Sequence, residues 1–492
     1  MRPEPAERPA ALRSCPSWSR VMVEVRRCVR KGGAVLRRPR GHARDVKTWE
    51  KLAYSFGALG SSLSSQAVQT YIVFFYADVL KVPIELIGYS MMAYGIWNAI
   101  NDPLFGYFSD RTRTRWGRRI PYVAGGLIPL TLAFILLWTP PSGVVNAGHF
   151  SLFIYFTVMM FLFDGIFTLV ILNWTALFPE MFPSLKDRAA VSMWRQIFGN
   201  VGLVVGIALA PVVYGRLGWG AMGIIYGVVT GVSVGISLLG SRETGARAGE
   251  EPLNVFPALK HTIANKSFMT YVVSSMLVQF VFVLIMAIVP FYSKYALKIA
   301  EDQSSLLLGA VFLVVFIMLA PWMRYTVKVG PKQAMLSAIV LFALALIPFG
   351  LARGLAMGIV CGALLGIGLA GLMLLFDVLI ADVIDEDEVL TGRRREGMYF
   401  GANALFIRLG VSAQALVMSQ VLKASGYDPN LAAQPASVET GVRFLTAGVP
   451  VIALILAFLV LRMYPLHGDA LARIKRELAA RHEAREGQGN AA

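Results

Sequence analysis

Long apolar segments constrain the fold of this chain more than any other feature. Twelve of them are long enough to cross a bilayer, which takes about 20 residues of helix. They lie at 53–80, 84–108, 121–139, 150–178, 189–214, 219–240, 268–296, 304–323, 333–351, 356–381, 398–422 and 441–463. Only helices and closed barrels satisfy their own backbone hydrogen bonds in lipid. We therefore predict an all-α membrane protein with twelve transmembrane helices.

The distribution of charge predicts how the chain lies in the membrane. Only 15% of the 492 residues are charged, against roughly 25% in soluble proteins. The net charge of +16 is concentrated on one side, with five arginines in loop 109–120 and three at 393–395, whereas loops 140–149 and 424–440 contain neither lysine nor arginine. Such asymmetry marks the cytoplasmic side. We expect a multi-pass protein of the cell inner (plasma) membrane with both termini cytoplasmic, surrounded by membrane lipid, without a nucleic-acid partner.

The apolar segments fall into two sets of six around a polar stretch. We predict a disordered basic arm at 1–50, an N-terminal six-helix bundle at 51–240, a cytoplasmic linker at 241–266, a C-terminal six-helix bundle at 267–463 and a cytoplasmic tail at 464–492. The tail is amphipathic, which suits a helix lying on the membrane surface. Two helical halves with a site between them are typical of transporters.

An acidic residue inside the second apolar segment predicts a cation site. An acid at membrane depth costs about 2.5 kcal/mol or more and usually has a function. Asp102 is followed by Pro103, which frees the carbonyl of Ala99, and Asn98 lies one turn earlier on the same face. We predict that Asp102, Asn98 and Asn101 bind a proton or Na⁺. The alternative is an aspartate that caps a kink or pairs with an arginine.

Polar side chains in other apolar segments predict a substrate surface. In the first segment, serines and glutamines recur at i, i+3, i+4 and i+7, and such a stripe faces either a partner helix or a watery cavity. Charged residues also occur in the fourth, fifth and eleventh segments, where Asp164 could pair with either arginine. The predicted substrate-binding residues are Ser62, Ser65, Gln66, Gln69, Trp174, Arg195, Asn403 and Arg408. A structural ion pair is the alternative for the two arginines.

Mixed charges at the cytoplasmic helix ends predict a gate. The residues are Asp110, Arg111, Arg118, Arg119, Glu180, Arg188, Asp382 and Asp385. Ion pairs between the halves would close this side while the cavity faces outward. Each exposed pair contributes only about 0–1 kcal/mol, but several together bias a two-state equilibrium. Solvated charge is the alternative, and it does not explain the interspersed acids.

Three segments carry a resemblance to a known family. They are NDPLFGYFSDRTRTRWGRR at 101–119, FPEMFPSLKDR at 178–188 and ADVIDEDEVLTGRRREG at 381–397. The chain resembles the glycoside–pentoside–hexuronide:cation symporters, a branch of the major facilitator superfamily that includes the melibiose permease. The resemblance implies a major facilitator fold in two six-helix halves, and it matches Asp102 to a cation-site aspartate and Thr168 to a threonine that completes that site. Arg195 and Arg408 match cationic positions of the family.

The resemblance also shows departures that leave the solute open. Asn98 stands where the family has a second cation-site aspartate, and Ser62 and Ile171 stand near the sugar-binding aspartates of the melibiose permease. We predict a secondary active transporter that couples a proton or Na⁺ to symport of a sugar or glycoside-like solute by alternating access. We expect a monomer that is not an enzyme and has no cofactor besides the coupling cation. The alternatives are a cation-coupled lysophospholipid symporter and, less consistent with the motifs, a membrane-embedded enzyme or sensor.

Overall fold

The computed structural model describes residues 47–112, 114, 117–182, 184–243, 262–391, 395–431 and 433–491. Side chains are described for these residues except at 99, 102, 103, 107, 110, 179, 185, 186, 396, 397, 479, 480 and 482–491. Nearly all of the predicted basic arm and most of the predicted linker therefore lie outside the described residues. The predicted boundaries between the arm, the two bundles, the linker and the tail stay predictions.

Helices form almost the whole described chain. They are α1 (Thr48–Phe74), α2 (Ile84–Arg111), α3 (Ile120–Trp138), α4 (His149–Met181), α5 (Leu185–Val204, continued by Val205–Leu209 and Ala210–Leu217), α6 (Trp219–Gly240), α7 (Lys266–Phe291, continued by Tyr292–Leu297), α8 (Ser304–Val329), α9 (Pro331–Leu351), α10 (Gly354–Thr391), α11 (Glu396–Ala424), α12 (Ala436–Arg443, continued by Phe444–Gly448 and Val449–Arg462) and α13 (Gly468–Ala491). A short helix, Ser142–Asn146, precedes α4.

The membrane character of the helices follows their hydropathy. Ten of them, α3 to α12, are long and apolar enough to cross a membrane. The predicted all-α membrane fold is confirmed. Helices α1 and α2 have 27 and 28 residues, which exceeds the length a bilayer needs, but they carry more polar side chains. For these two helices the predicted count of twelve spans stays a prediction.

Local sequence signals set several helix boundaries. Ser184 caps α5, because its hydroxyl oxygen accepts a hydrogen bond from the Asp187 amide at 3.1 Å. Asn265 caps α7 in the same way, accepting from the Phe268 amide at 3.0 Å. Each such side chain satisfies one of the amides that a helix start leaves without a partner. Gly330 separates α8 from α9 with a φ of 88°, a left-handed conformation that glycine adopts without strain.

The helices pack in two sets. In the N-terminal set, α1 packs against α5 and α6, and α3 packs against α4 and α6. In the C-terminal set, α7 packs against α11 and α12, whereas α8 and α9 both lie along α10. The sets meet mainly where α2 contacts α11 and α1 contacts α7. This arrangement places the first helix of each half at the centre of the bundle.

The ends of α1 and α7 repeat each other. Each helix passes into a π-helical turn, Phe75–Val79 in α1 and Tyr292–Leu297 in α7. A lysine with positive φ follows each turn, Lys81 at 64° and Lys298 at 54°. Positive φ is uncommon outside glycine, and π turns are frequent at functional sites. The shared geometry indicates an internal repeat of the two halves.

The tail contains a helix that lies against α10. Leu471 and Ile474 of α13 are buried, whereas Lys475 Nζ lies 3.2 Å from Asp382 Oδ1. Arg481 donates a hydrogen bond to the main-chain oxygen of Val389 at 2.8 Å. The described contacts of α13 are therefore with α10. Contact of α13 with the membrane surface stays a prediction.

Candidate functional site

A buried carboxylate and three neutral donors form a polar cluster between α2 and α4, which we call the Asp164 cluster. Asp164 on α4 is only 5% exposed. Its Oδ1 accepts hydrogen bonds from Asn98 Nδ2 at 2.8 Å and from the Tyr94 hydroxyl at 3.2 Å. Its Oδ2 accepts from Asn101 Nδ2. A buried charge is tolerable only with such partners, so α2 and α4 are held together by this acid.

The same cluster offers oxygen atoms to a small cation. Asn101 Nδ2 also donates to Thr168 Oγ1 at 3.3 Å. The Asn101 Oδ1 atom is buried without a hydrogen-bond partner in the described part of the chain. Carboxylate, amide and hydroxyl oxygens are ligands that hard cations prefer, and a carboxylate alone can carry a proton. The arrangement can therefore hold either type of coupling ion.

The cluster contains three of the four predicted cation-site residues. Asn98, Asn101 and Thr168 lie together, while the side chain of Asp102 lies outside the described residues, so its predicted role stays a prediction. Sequence reasoning noted Asp164 as a charged residue in a span but did not assign it to this site. The available signal was its spacing: Asp164 and Thr168 are four residues apart and share one face of α4.

Small residues bring α2 and α11 into close contact beside the cluster. A Cβ atom added to Gly88 would lie 2.1 Å from Ser419 Oγ, and one added to Gly95 would lie 1.6 Å from Ser412 Oγ. Small residues allow such approach between membrane helices. One turn beyond Ser412, Arg408 donates a hydrogen bond to the main-chain oxygen of Asn98. An arginine of the C-terminal half thus contacts the residue that binds Asp164.

Arg195 lies on an aromatic platform in the N-terminal half. Its guanidinium carbon is 4.7 Å from the centroid of the Trp174 ring and 5.3 Å from that of Phe178. Tyr54 stacks on Trp174 with 5.1 Å between the centroids and donates to its main-chain oxygen at 2.8 Å. The described residues provide no acid within hydrogen-bond distance of Arg195. Cation–π contact orients the guanidinium and leaves its donors available.

The other predicted substrate residues are dispersed, but several have polar atoms without partners. Ser62, Ser65, Gln66 and Gln69 are all half-buried along α1, and Ser62 lies beside α5 at Gly202. Within the described part of the chain, the buried atoms Gln66 Oε1, Trp174 Nε1 and Asn403 Oδ1 lack hydrogen-bond partners. A buried polar atom left without a partner costs about 1–3 kcal/mol. These atoms are candidates for hydrogen bonds to a solute.

Charges at one end of the bundle pair within each half. We call this end, where α2, α8 and α10 end, the basic end. Arg118 lies 2.5 Å and Arg119 lies 3.3 Å from Glu180 Oε1, while Asp382 pairs with Lys475. Arg188 donates to the Phe182 main-chain oxygen at 2.7 Å. Arg111 is exposed, Asp385 is half-buried, and the side chain of Asp110 is outside the described residues. Pairing between the halves here stays a prediction.

At the opposite end, charged pairs join the two halves. Asp78, in the π turn of α1, is 3% exposed. It accepts hydrogen bonds from Lys294 and Tyr295 in the π turn of α7, and from the Tyr427 hydroxyl at 3.0 Å. Burial raises the pKa of the Tyr427 hydroxyl well above its ordinary value, with the nearby Asp78 charge adding to the shift. We call these four residues the Asp78 cluster.

A further ion pair and an acid with a raised pKa lie at the same end of the bundle. Lys423 Nζ, at the end of α11, is 3.2 Å from Glu85 Oε1 at the start of α2. Burial raises the pKa of Glu301 in the loop before α8, and Lys294 opposes that shift. Sequence reasoning missed this whole end of the bundle. Its residues lie at span termini, where isolated charges are common. The available signal was the Leu-Lys pair that recurs at the ends of α1 and α7, Leu80-Lys81 and Leu297-Lys298.

The fold and these clusters define a membrane transporter built from two helical halves. The MFS/sugar transport protein family matches residues 53–468, so the chain belongs to this family. The predicted membership among the glycoside–pentoside–hexuronide:cation symporters is confirmed by this match and by the relatives that follow.

Relatives of the chain are symporters and sugar carriers. The chain is 24% identical to the isoprimeverose transporter of Lactiplantibacillus pentosus, over 92% of this chain and 94% of that protein. It is also 24% identical to the putative glycoside/cation symporter YagG of Escherichia coli (strain K12), over 89% and 96% of the two chains. Identity is 20% to the sodium-dependent lysophosphatidylcholine symporter 1 of Xenopus tropicalis, over 87% and 89%.

Solved structures agree with the fold. The nucleoside transporter NupG superimposes with a TM-score of 0.63 at 14% sequence identity, covering 85% of this chain and all of that one. Identity at this level supports the fold alone.

Proposed function

We propose that this chain carries a sugar or glycoside-like solute across the membrane together with a proton or Na⁺. The observation that carries the proposal is the Asp164 cluster, a buried acid with cation-ligating oxygens between α2 and α4, beside the contact of α2 with α11 of the other half. Family membership and the names of the relatives support the solute class. The coupling cation is the only cofactor in this proposal, and the chain acts as a monomeric carrier with no enzymatic step.

Coupling follows from the cost of moving an uncompensated charge. Asp164 binds the cation with Asn98, Asn101 and Thr168, and Asp102 contributes as the sequence predicts. Arg408 links this site to α11, so cation binding changes the contact between the halves. Without a bound cation, the Asp164 carboxylate resists the transition between the inward-facing and outward-facing states, because a buried uncompensated charge is costly. Solute and cation therefore stabilise the same transition, and by linkage each raises the affinity for the other.

The orientation of the carrier follows from its charges. We propose that the basic end faces the cytoplasm, because cytoplasmic loops carry an excess of lysine and arginine. In this orientation the Asp78 cluster closes the extracellular side. In the outward-facing state we expect the mixed charges of the basic end to pair between the halves instead.

The solute is recognised by Arg195, which the buried Trp174 ring orients. The donors of the guanidinium suit the hydroxyl groups of a sugar. Gln66 and Asn403 bring unsatisfied acceptors from opposite halves. Lysophospholipid transport is the second candidate, favoured by the similarity to the lysophosphatidylcholine carrier and by the same arginine, which suits a phosphate.

Uptake into proteoliposomes tests the function. Radiolabelled glycosides, pentosides and lysophosphatidylcholine are supplied in turn, with either a Na⁺ or a proton gradient imposed. We expect accumulation of one glycoside class under one gradient and its loss when an ionophore dissipates that gradient. Gradient-driven accumulation of lysophosphatidylcholine alone would establish the second candidate. Failure of every solute under both gradients would reject both transport proposals.

Substitution of Arg195 tests the solute site separately. We expect Arg195→Gln to raise the KM for the solute by about tenfold or more, since a hydrogen bond from a charged donor contributes about 1.5–3 kcal/mol. Arg195→Lys keeps the charge but loses the planar stack on Trp174, so an intermediate KM is expected. Arg216→Gln, a charge loss at the end of α5, is the control. A wild-type KM in both Arg195 variants would remove this residue from the solute site.

A further inference from the structure

A groove on the outer surface of the C-terminal half lies close to the basic end. Helices α8 and α9 both pack along α10 but contact each other only sparsely. Between them lies a cavity of about 270 Å³, lined by Met318, Pro321, Trp322, Tyr325, Ser337, Leu341 and Ile367. Pro321 lacks an amide hydrogen for the carbonyl four residues earlier, which favours a bend of α8 at this place. Tyr325 and Leu341 are 40% and 45% exposed, so the groove is accessible from the protein surface.

The groove is apolar at one end and polar at the other. Met318, Trp322 and Tyr325 follow each other on one stripe of α8, with Leu341 facing them from α9. The Trp322 indole already donates to the Ile367 main-chain oxygen at 2.7 Å, so the deep part presents only apolar atoms. Toward the basic end, the Tyr325 and Ser337 hydroxyls lie 3.1 Å apart. Ser337 already donates to the Gln333 main-chain oxygen at 2.9 Å, so Tyr325 is the donor in this pair, and its hydroxyl hydrogen is the one that a further ligand can accept.

Two cations continue the groove toward the basic end. Lys328 is three residues beyond Tyr325, and Arg324 is four residues before Lys328, so all three occupy adjacent positions on α8. Both cations are exposed. Neither forms a hydrogen bond or an ion pair with any described residue. Helices α8 and α9 contain no aspartate or glutamate between 304 and 351, so the local charge is positive.

We propose that this groove is a binding site for one anionic phospholipid. An acyl chain lies along Met318, Pro321 and Leu341. The phosphate accepts a hydrogen bond from the Tyr325 hydroxyl, which turns away from Ser337 on binding, and is neutralised by Lys328 and Arg324. Basic residues at a membrane surface attract anionic lipid by about 1 kcal/mol each, and the apolar groove gives the acyl chain a defined position. The site is separate from the solute pathway and does not depend on the transported solute.

Lipid binding to the purified protein tests the proposal. The protein in detergent is titrated with phosphatidylglycerol or phosphatidylcholine, and bound lipid is counted by native mass spectrometry. We expect one tight phosphatidylglycerol and no equivalent phosphatidylcholine. The double variant R324Q/K328Q should bind phosphatidylglycerol at least about tenfold more weakly, as expected from the loss of two surface cations. A control double variant, R473Q/R476Q, removes two exposed cations of α13 and should bind as the wild type does.

A second variant tests the apolar part of the groove independently of the two cations. Leu341→Trp fills the apolar part without changing any cation, and we expect it to reduce phosphatidylglycerol binding by a comparable factor. Equal binding of the two lipids, wild-type affinity in R324Q/K328Q, or an equal loss in the control variant would each overturn the proposal. Wild-type affinity in Leu341→Trp would overturn it as well, because the acyl chain would then lie elsewhere. Solute uptake is not part of the readout, so failure here is independent of failure of the transport proposal.

Discussion

Asp164→Asn is expected to abolish gradient-driven accumulation of the solute. The substitution keeps the size of the side chain and removes the charge that attracts the cation. An amide in this place can still accept from Asn98, so the fold of α4 against α2 should persist. The loss of a charged ligand in a buried site is worth at least about 3 kcal/mol, which corresponds to a factor of more than a hundred in cation affinity. The measurement is uptake into proteoliposomes under the productive gradient.

Three comparisons make this result specific. Downhill exchange of the solute should survive in Asp164→Asn, because a neutral site no longer needs the cation for the halves to move. Asp469→Asn, which removes an exposed acid at the start of α13, should accumulate solute like the wild type. Thr168→Val should weaken cation affinity without abolishing transport if the ion is Na⁺, and should have little effect if it is a proton. Undiminished accumulation by Asp164→Asn would remove this acid from coupling.

Asp78→Asn is expected to open the end of the bundle that the Asp78 cluster closes. The substitution weakens hydrogen bonds from Lys294, Tyr295 and Tyr427 that join the halves. Hydrogen bonds to a charged group contribute about 1.5–3 kcal/mol, and the partly exposed Lys294 adds little. A change of about 2 kcal/mol shifts a two-state equilibrium roughly thirtyfold. Val145 and Leu431 are exposed positions in the two halves at this end. The distance between spin labels at these two positions, measured by double electron–electron resonance, should become longer.

The matched control for this experiment is Asp428→Asn. Asp428 lies next to Tyr427, and among the described residues its carboxylate accepts hydrogen bonds only from Asn430. Its substitution should therefore leave the label distances unchanged. Tyr427→Phe should give a smaller shift in the same direction as Asp78→Asn, because it removes one of the three donors. Distances in Asp78→Asn that match the wild type would show that the cluster does not hold the halves together.

Hydropathy located each of the helices α1 to α12 and predicted some of their ends to the residue. The segment predicted at 219–240 is helix Trp219–Gly240, and that predicted at 304–323 is the start of Ser304–Val329. The main misjudgement was the end of α10, which extends to Thr391, ten residues beyond the apolar run. Hydropathy reports the membrane boundary rather than the helix boundary, and charged residues such as Asp387 continue the helix outside the lipid.

The candidate site was predictable only where one helix contains the signal. Asn98 and Asn101 are three residues apart on α2, so their shared face could be inferred. Their contact with Asp164 depends on how α2 packs against α4, which periodicity in a single helix cannot show. The Asp78 cluster could not be predicted for the same reason, since Asp78 is more than 200 residues from each of its three partners and meets them only through the packing of the two halves.

The central claim is that an acid between the helices moves a cation together with the solute. Charge movement on a solid-supported membrane measures this coupling directly in the wild-type protein. A jump in the concentration of the neutral transported solute should produce a transient current of positive charge into the proteoliposomes, and its amplitude should depend on pH or on Na⁺. Solute uptake without any current, at every pH and Na⁺ concentration, would contradict the account.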